Sequence, residues 1–149
     1  MKERKFKVLI DTNVAVTFLT KRIDPFTKES EDLMFLCGAE KITGYLAFHS
    51  LSIIWYLGRK IGEDKGREML ETICNLLAIV DASQEEVINA IHNENFKDFE
   101  DCLQDKCAKE AGCDYIVTAN LKDFANSEVP AVTPDRLLKI IHEELSSNP

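Results

Sequence analysis

The chain has 149 residues, 45% of them hydrophobic, which suffices for one domain with a sizeable core and falls short of two, so a single domain over 1–149 with a polar tail at 146–149 is expected. A net charge of −8 argues against nucleic-acid binding through a broad basic surface, since such binding rests on neutralising phosphates. It leaves open a carboxylate site that loads divalent cations and so inverts the local field.

No stretch approaches the roughly 20 apolar residues that a membrane helix needs, and the opening residues run into a strand pattern instead of a signal-peptide core. A cytoplasmic protein with no membrane contact is expected. The five cysteines (Cys37, Cys74, Cys102, Cys107, Cys113) are odd in number and lack CxxC spacing, so neither a disulfide framework nor a zinc site is suggested; they read as reduced thiols.

In chain order, the apolar run at 7–10 predicts a first strand ending at Asp11. A helix opens at Asp24 or Pro25 and stops at Gly38. Residues 42–47 predict a second strand, 50–61 a helix ended by Gly62, and 65–77 a helix whose apolar positions are Met69, Leu70, Ile73, Leu76 and Leu77. A third strand is expected at 77–80. Ser83 and Glu86 have the spacing of a capping box for a helix over 83–91, and a further helix spans 98–111, closed by Gly112. Residues 115–118 predict a fourth strand and 129–132 a fifth, weakened by Pro130. Thr133 caps a last helix over 134–145, with Pro134 at its first position.

Strands that alternate with helices imply a mainly parallel sheet covered on both faces, a three-layer α/β/α sandwich. Function in such sheets collects outside the carboxyl ends of the strands. Asp11 follows the first strand directly, and Asp123 follows the fourth by a few residues. The helix over 98–111 must run antiparallel to the strand it precedes, which returns Asp98, Glu100 and Asp101 to the same edge. Three segments therefore bring carboxylates to one crevice.

Gathered carboxylates raise one another's pKa unless a cation compensates them. Oxygen-only ligands favour Mg²⁺ or Mn²⁺, with water and phosphate completing the shell. Phosphodiester hydrolysis is the reaction such a site suits, because the ion polarises a phosphoryl oxygen and activates water for in-line attack.

The residues also carry a family resemblance. Leu9-Ile10-Asp11-Thr12-Asn13-Val14 resembles the opening motif of PIN domains, and Asp98-Phe99-Glu100-Asp101-Cys102-Leu103-Gln104 with Ala108 resembles their second acidic block. Residues 116–124, Ile-Val-Thr-Ala-Asn-Leu-Lys-Asp-Phe, resemble the third, and Val132-Thr133-Pro134 resembles the strand and helix start that end the domain. The resemblance implies a five-stranded parallel sheet, bound Mg²⁺ or Mn²⁺ and cleavage of RNA; many bacterial members are the VapC-like toxin of a toxin-antitoxin pair. It implies metal ligation by Asp11, Asp101 and Asp123, with Asp98 as an additional acid. Thr12, Asn13, Thr118 and Asn120 match positions that orient water or substrate.

One departure stands out: the family usually carries a glutamate in the helix after the second strand, where this chain has Ile53 or Ile54. His49 and Ser50, at the start of that helix, are candidates to bind phosphate or water in its place. Two readings follow, a metal-dependent endoribonuclease acting as a toxin or in RNA processing, and a catalytically weak or inactive module that binds RNA or a partner protein. An antitoxin is the partner the first reading implies. The segment with Phe48, Leu51, Ile54, Trp55 and Tyr56 is more apolar than one core stripe needs, and the resemblance implies a homodimer through it.

Overall fold

The computed structural model describes residues 5–147, so the first four residues and the last two of the polar tail lie outside it. Its strands are β1 (Lys7–Ile10), β2 (Thr43–Ala47), β3 (Ala78–Val80), β4 (Tyr115–Val117) and β5 (Ala131–Val132). The helices are α1 (Thr12–Thr20), α2 (Thr27–Gly38), α3 (Ser50–Arg59), α4 (Glu63–Leu76), α5 (Gln84–Ile91), α6 (Phe99–Glu110) and α7 (Pro134–Ser147), with a 3-10 turn at Leu121–Phe124. Every strand pairing is parallel and the order is β3-β2-β1-β4-β5.

The central strand shows why both faces are covered. Val8, Leu9 and Ile10 are all fully buried, and successive side chains of a strand point to opposite faces. Val8 and Ile10 join a core with Val14 of α1, Leu33 and Met34 of α2, Ile54 of α3, Met69 and Ile73 of α4 and Leu137 of α7. Leu9 joins the other core, with Ala90 of α5, Cys102 and Ala108 of α6, and Ile116. These two cores are the interlayers of the expected sandwich. Each fully buried aliphatic side chain contributes roughly 1.5–3 kcal/mol relative to exposure.

Most boundaries shift by one or two residues from the sequence reading, and two shifts have a clear cause. The second helix starts at Thr27 because the Asp24 carboxylate accepts from the Phe26 amide at 2.7 Å, an Asx turn that holds the chain outside the helix for one more turn. The last helix continues through Ser147, so the start of the expected polar tail is helical. Ser83 caps α5 by accepting from the Glu86 amide at 3.2 Å. The reciprocal half of the box is lost, because Glu86 turns to the nearly buried Lys106 at 3.7 Å.

Helices α3 and α4 pack through two glycines. A Cβ on Gly58 would lie 2.8 Å from the Gly66 Cα, closer than real Cβ contacts allow, so the backbones meet only because both positions lack a side chain. This fixes α3 against α4 and sets where α3 begins at the sheet edge. All five cysteines are free thiols. Among the described residues no helix is long and apolar enough to cross a membrane.

Candidate metal centre

From β1 the chain moves outward to β2 and β3 on one side, then returns to place β4 and β5 on the other. The reversal opens a crevice between the carboxyl ends of β1 and β4, where such sheets bind ligands. Asp11 leaves β1 at this point, and its backbone amide donates to Val117 of β4 at 2.9 Å.

Asp11 occupies the N-cap position of α1, yet its side chain makes no capping bond. The carboxylate instead accepts from Gln104 Nε2 on Oδ1 at 3.0 Å and from Thr118 Oγ1 on Oδ2 at 2.9 Å. Asp11, Gln104 and Thr118 are all buried. Burial pushes the Asp11 pKa up, and the two hydrogen bonds partly offset it by favouring the charged form. Asn13 does not cap α1, since the helix has already begun at Thr12; it lies exposed within the first turn.

Helix α6 begins where antiparallel packing predicts. Asp98 is its N-cap, accepting from the Asp101 amide at 3.1 Å. Asp101 is half-buried, and burial together with the charges of Asp98, Asp11, Asp123 and Glu100 pushes its carboxyl up to about 7. Glu100 is raised for the same reasons, burial first. Asp123, in the 3-10 turn after β4, accepts from Asn120 Nδ2 at 2.8 Å, and the Asn120 amide donates to Thr118 Oγ1 at 3.1 Å. Asp98, Asp101, Asn120 and Asp123 line one cleft.

The α3 residues behave differently. Ser50 is fully buried and its Oγ lies 2.7 Å from Thr12 Oγ1, also buried, so these two hydroxyls tie α3 to α1 and neither is open to a substrate. His49 is half-buried, its Nε2 is buried and unpartnered, and burial lowers its pKa, which disfavours the imidazolium. Ile54 is fully buried in the core, whereas Ile53 is only half-buried and lies three residues beyond Ser50 on the same side of the helix. Ile53 and Ile54 both fall on the side of α3 that carries Ser50, and of the two only Ile53 is left outside the fully buried core.

Among the described residues no three His, Cys, Asp or Glu side chains are close enough to form a ready-made cage around one ion. The donors are hard carboxylate oxygens whose mutual repulsion is uncompensated at Asp101. That chemistry fits a hydrated divalent cation such as Mg²⁺, which keeps several of its waters and takes only one or two carboxylates directly. Gln104 closes the acidic block, and its three-residue spacing from Asp101 is the one sequence signal that both share the inner face of α6. Its Oε1 is buried without a partner.

A family model described as PIN domain matches residues 7–122. Ribonuclease VapC1 of Aquifex aeolicus (strain VF5) is 30% identical over 134 residues, covering 87% of this chain and 91% of that protein. Among solved structures, VapBC2 from Rickettsia felis, described as bound to a DNA fragment from their promoter, matches with a TM-score of 0.68 at 16% identity, covering 86% of this chain and 98% of that one. VapC20 of Mycobacterium tuberculosis, described as a sarcin-ricin loop cleaving toxin, matches with a TM-score of 0.61 at 13% identity, covering 82% and 95%. At these identities the solved structures speak for the fold alone.

Proposed function

This chain belongs to the PIN domain family, and from that premise we propose that it is a metal-dependent endoribonuclease acting in the cytoplasm, the toxin of a toxin-antitoxin pair or an RNA-processing nuclease. The observation that carries the reading is the carboxylate cluster at the β1–β4 crevice, with Asp101 pushed up to about 7 by burial and by its acidic neighbours. A structural role would not gather like charges there without a counter-charge. The 30% identity to a protein named a ribonuclease supports the substrate class.

Asp11, Asp101 and Asp123 would hold the ion, Mg²⁺ or Mn²⁺, with Asp98 in support. When bound, it supplies Lewis-acid activation of a phosphoryl oxygen and of water. The chain's own groups do the rest. Gln104 and Thr118 hold both oxygens of Asp11, so its remaining lone pairs are presented in a set direction. Asn120 fixes Asp123 in the same way. Asp98 Oδ1 is spent on the Asp101 amide, which fixes the first turn of α6 and with it the Asp101 side chain. Asn13, exposed beside Asp11, is placed to contact substrate, whereas His49 could do so with Nε2 only if that buried atom were uncovered.

Cleavage of a single-stranded RNA in millimolar Mn²⁺, lost in Asp11→Asn and Asp101→Asn, tests the reading. The second reading, a weak or inactive module that binds RNA or a protein, is favoured by Ile53, which puts a hydrocarbon where the family usually has a carboxylate. An antitoxin protein is the partner we assign, on the strength of relatives described as VapBC and toxin-antitoxin complexes. We also assign a homodimer through the start of α3. Ile54 is consumed by the core, but Phe48 and Tyr56 stay exposed.

A further inference from the structure

The cleft holding the carboxylates is lined by two cations as well. Lys97, just before α6, and Lys122, in the 3-10 turn, line it together with Asn95 and Asn126. Both lysines are exposed, and neither side-chain ammonium makes a hydrogen bond or ion pair among the described residues. Their neighbours in sequence are Asp98 and Asp123, so partners are at hand. Lys28, Lys65, Lys106 and Lys109 each pair with a carboxylate, whereas Lys21, Lys41, Lys60 and Lys139 do not among the described residues, so what sets Lys97 and Lys122 apart is the cleft they share with the acids. Here the carboxylates have other partners: Asp98 caps α6 and Asp123 takes the Asn120 amide.

The walls that carry the lysines are joined. Asn126 Nδ2 donates to the Asn95 carbonyl at 3.0 Å, and the Asn95 amide donates to Asn93 Oδ1 at 2.9 Å. The loop before α6 is thereby tied to the segment after the 3-10 turn, with the nearly buried Phe96 between them lining the cleft. Two unpaired cations, on segments joined by a hydrogen bond, line the same cleft as the acidic centre in a protein of net charge −8.

We propose that Lys97 and Lys122 form a phosphate subsite for single-stranded RNA, holding the backbone of nucleotides next to the one that reaches the carboxylates. This rests on the ribonuclease reading and adds where the strand runs: out of the β1–β4 crevice, between the loop before α6 and the 3-10 turn. Contacts of this kind position the backbone and carry no sequence information. The overall negative charge would otherwise repel RNA, and two local cations beside the centre provide the attraction that the rest of the surface lacks.

The test measures binding of fluorescein-labelled decamers of uridine and of adenosine to Asp101→Asn protein in Mg²⁺, over a range of KCl. Adding Lys97→Ala and Lys122→Ala is expected to weaken binding equally for both decamers. It should also lower the slope of log affinity against log salt by about 1.4, since each neutralised phosphate on a single strand contributes about 0.7. Adding Lys139→Ala, an exposed lysine on α7, should leave the slope unchanged. If the parent binds RNA and the double lysine change alters neither affinity nor slope, or if Lys139→Ala does as much, the subsite is refuted and the nuclease reading stands. If the parent binds neither decamer and the native protein cleaves no RNA, both fall together.

Discussion

Gln104 and Asp11 lie 93 residues apart in sequence, yet the Gln104 amide donates to Asp11 Oδ1 at 3.0 Å inside the protein. The bond joins the end of the central strand to the inner face of α6, the two elements that carry the first and second groups of acids. Because Thr118 takes the other oxygen, Asp11 is held at two points.

Replacing Gln104 with Leu is expected to remove one of these points and leave a buried acceptor unmatched, at a cost of about 1–3 kcal/mol. Partners that orient a ligating carboxylate typically matter on the order of 10–100-fold in metal affinity. Isothermal titration with Mn²⁺ should show that loss in Gln104→Leu. Unchanged Mn²⁺ affinity in a folded variant would refute the positioning role.

The stability of the metal-free protein should depend on pH in a set direction. Asp101 is raised from 3.8 to about 7 in the folded state, so between these values the folded protein binds more protons than the unfolded chain. Stability therefore falls as pH rises from about 4 to about 7, and Asp11 and Glu100, also raised, act in the same sense. Thermal melts from pH 4 to pH 8 in EDTA check the sign, and in Asp101→Asn the fall should be smaller.

Cation binding should reverse that effect. A positive charge favours the ionised carboxylates, so at pH 7 Mn²⁺ uptake should release about half a proton from Asp101 alone. The heat of binding measured in buffers of different ionisation enthalpy gives this number. Mn²⁺ should also raise the melting midpoint of the native protein, and do so less in Asp11→Asn. An equal rise in both would move the metal elsewhere.

Ile53→Glu is expected to tighten Mn²⁺ binding on the order of tenfold and to raise RNA cleavage, because it adds a hard oxygen ligand on the side of α3 that faces Thr12. The same change at Ile54 should instead destabilise the fold, since that side chain is fully buried in the core and an unpaired carboxylate there has no compensation. Comparing the two variants by melting and by Mn²⁺ titration separates ligand placement from packing.

At micromolar concentration, light scattering should report a mass near twice 16.9 kDa. Phe48→Asp, which places a charge on an exposed apolar residue, should shift it to the monomer without lowering the melting midpoint of the protomer. A native monomer over that whole range would overturn the dimer.

Much of this architecture is written in local patterns. The alternation of strand and helix segments dictates a parallel sheet, and the position of Asp11 after β1 and of Asp98 before α6 dictates which edge they share, because a helix that precedes a parallel strand must run back along it. No local pattern dictates burial. Ser50 and His49 read alike as polar residues at a helix start, yet packing against α1 encloses Ser50 and leaves His49 partly open. Nor does spacing alone choose between Ile53 and Ile54, since both lie on one side of α3 and only the depth of the core separates them.

The sequence by itself determined the fold class and the sheet edge at which the acids gather, because each follows from periodicity of about two or 3.6 residues and from chain direction. Only the tertiary structure decided that Gln104 holds Asp11, that Asp101 is pushed up to about 7, and that the side chains of Lys97 and Lys122 line one cleft unpaired. These are properties of groups brought together from distant segments, and their strength depends on distance and on exclusion of water, which no local stretch of sequence encodes.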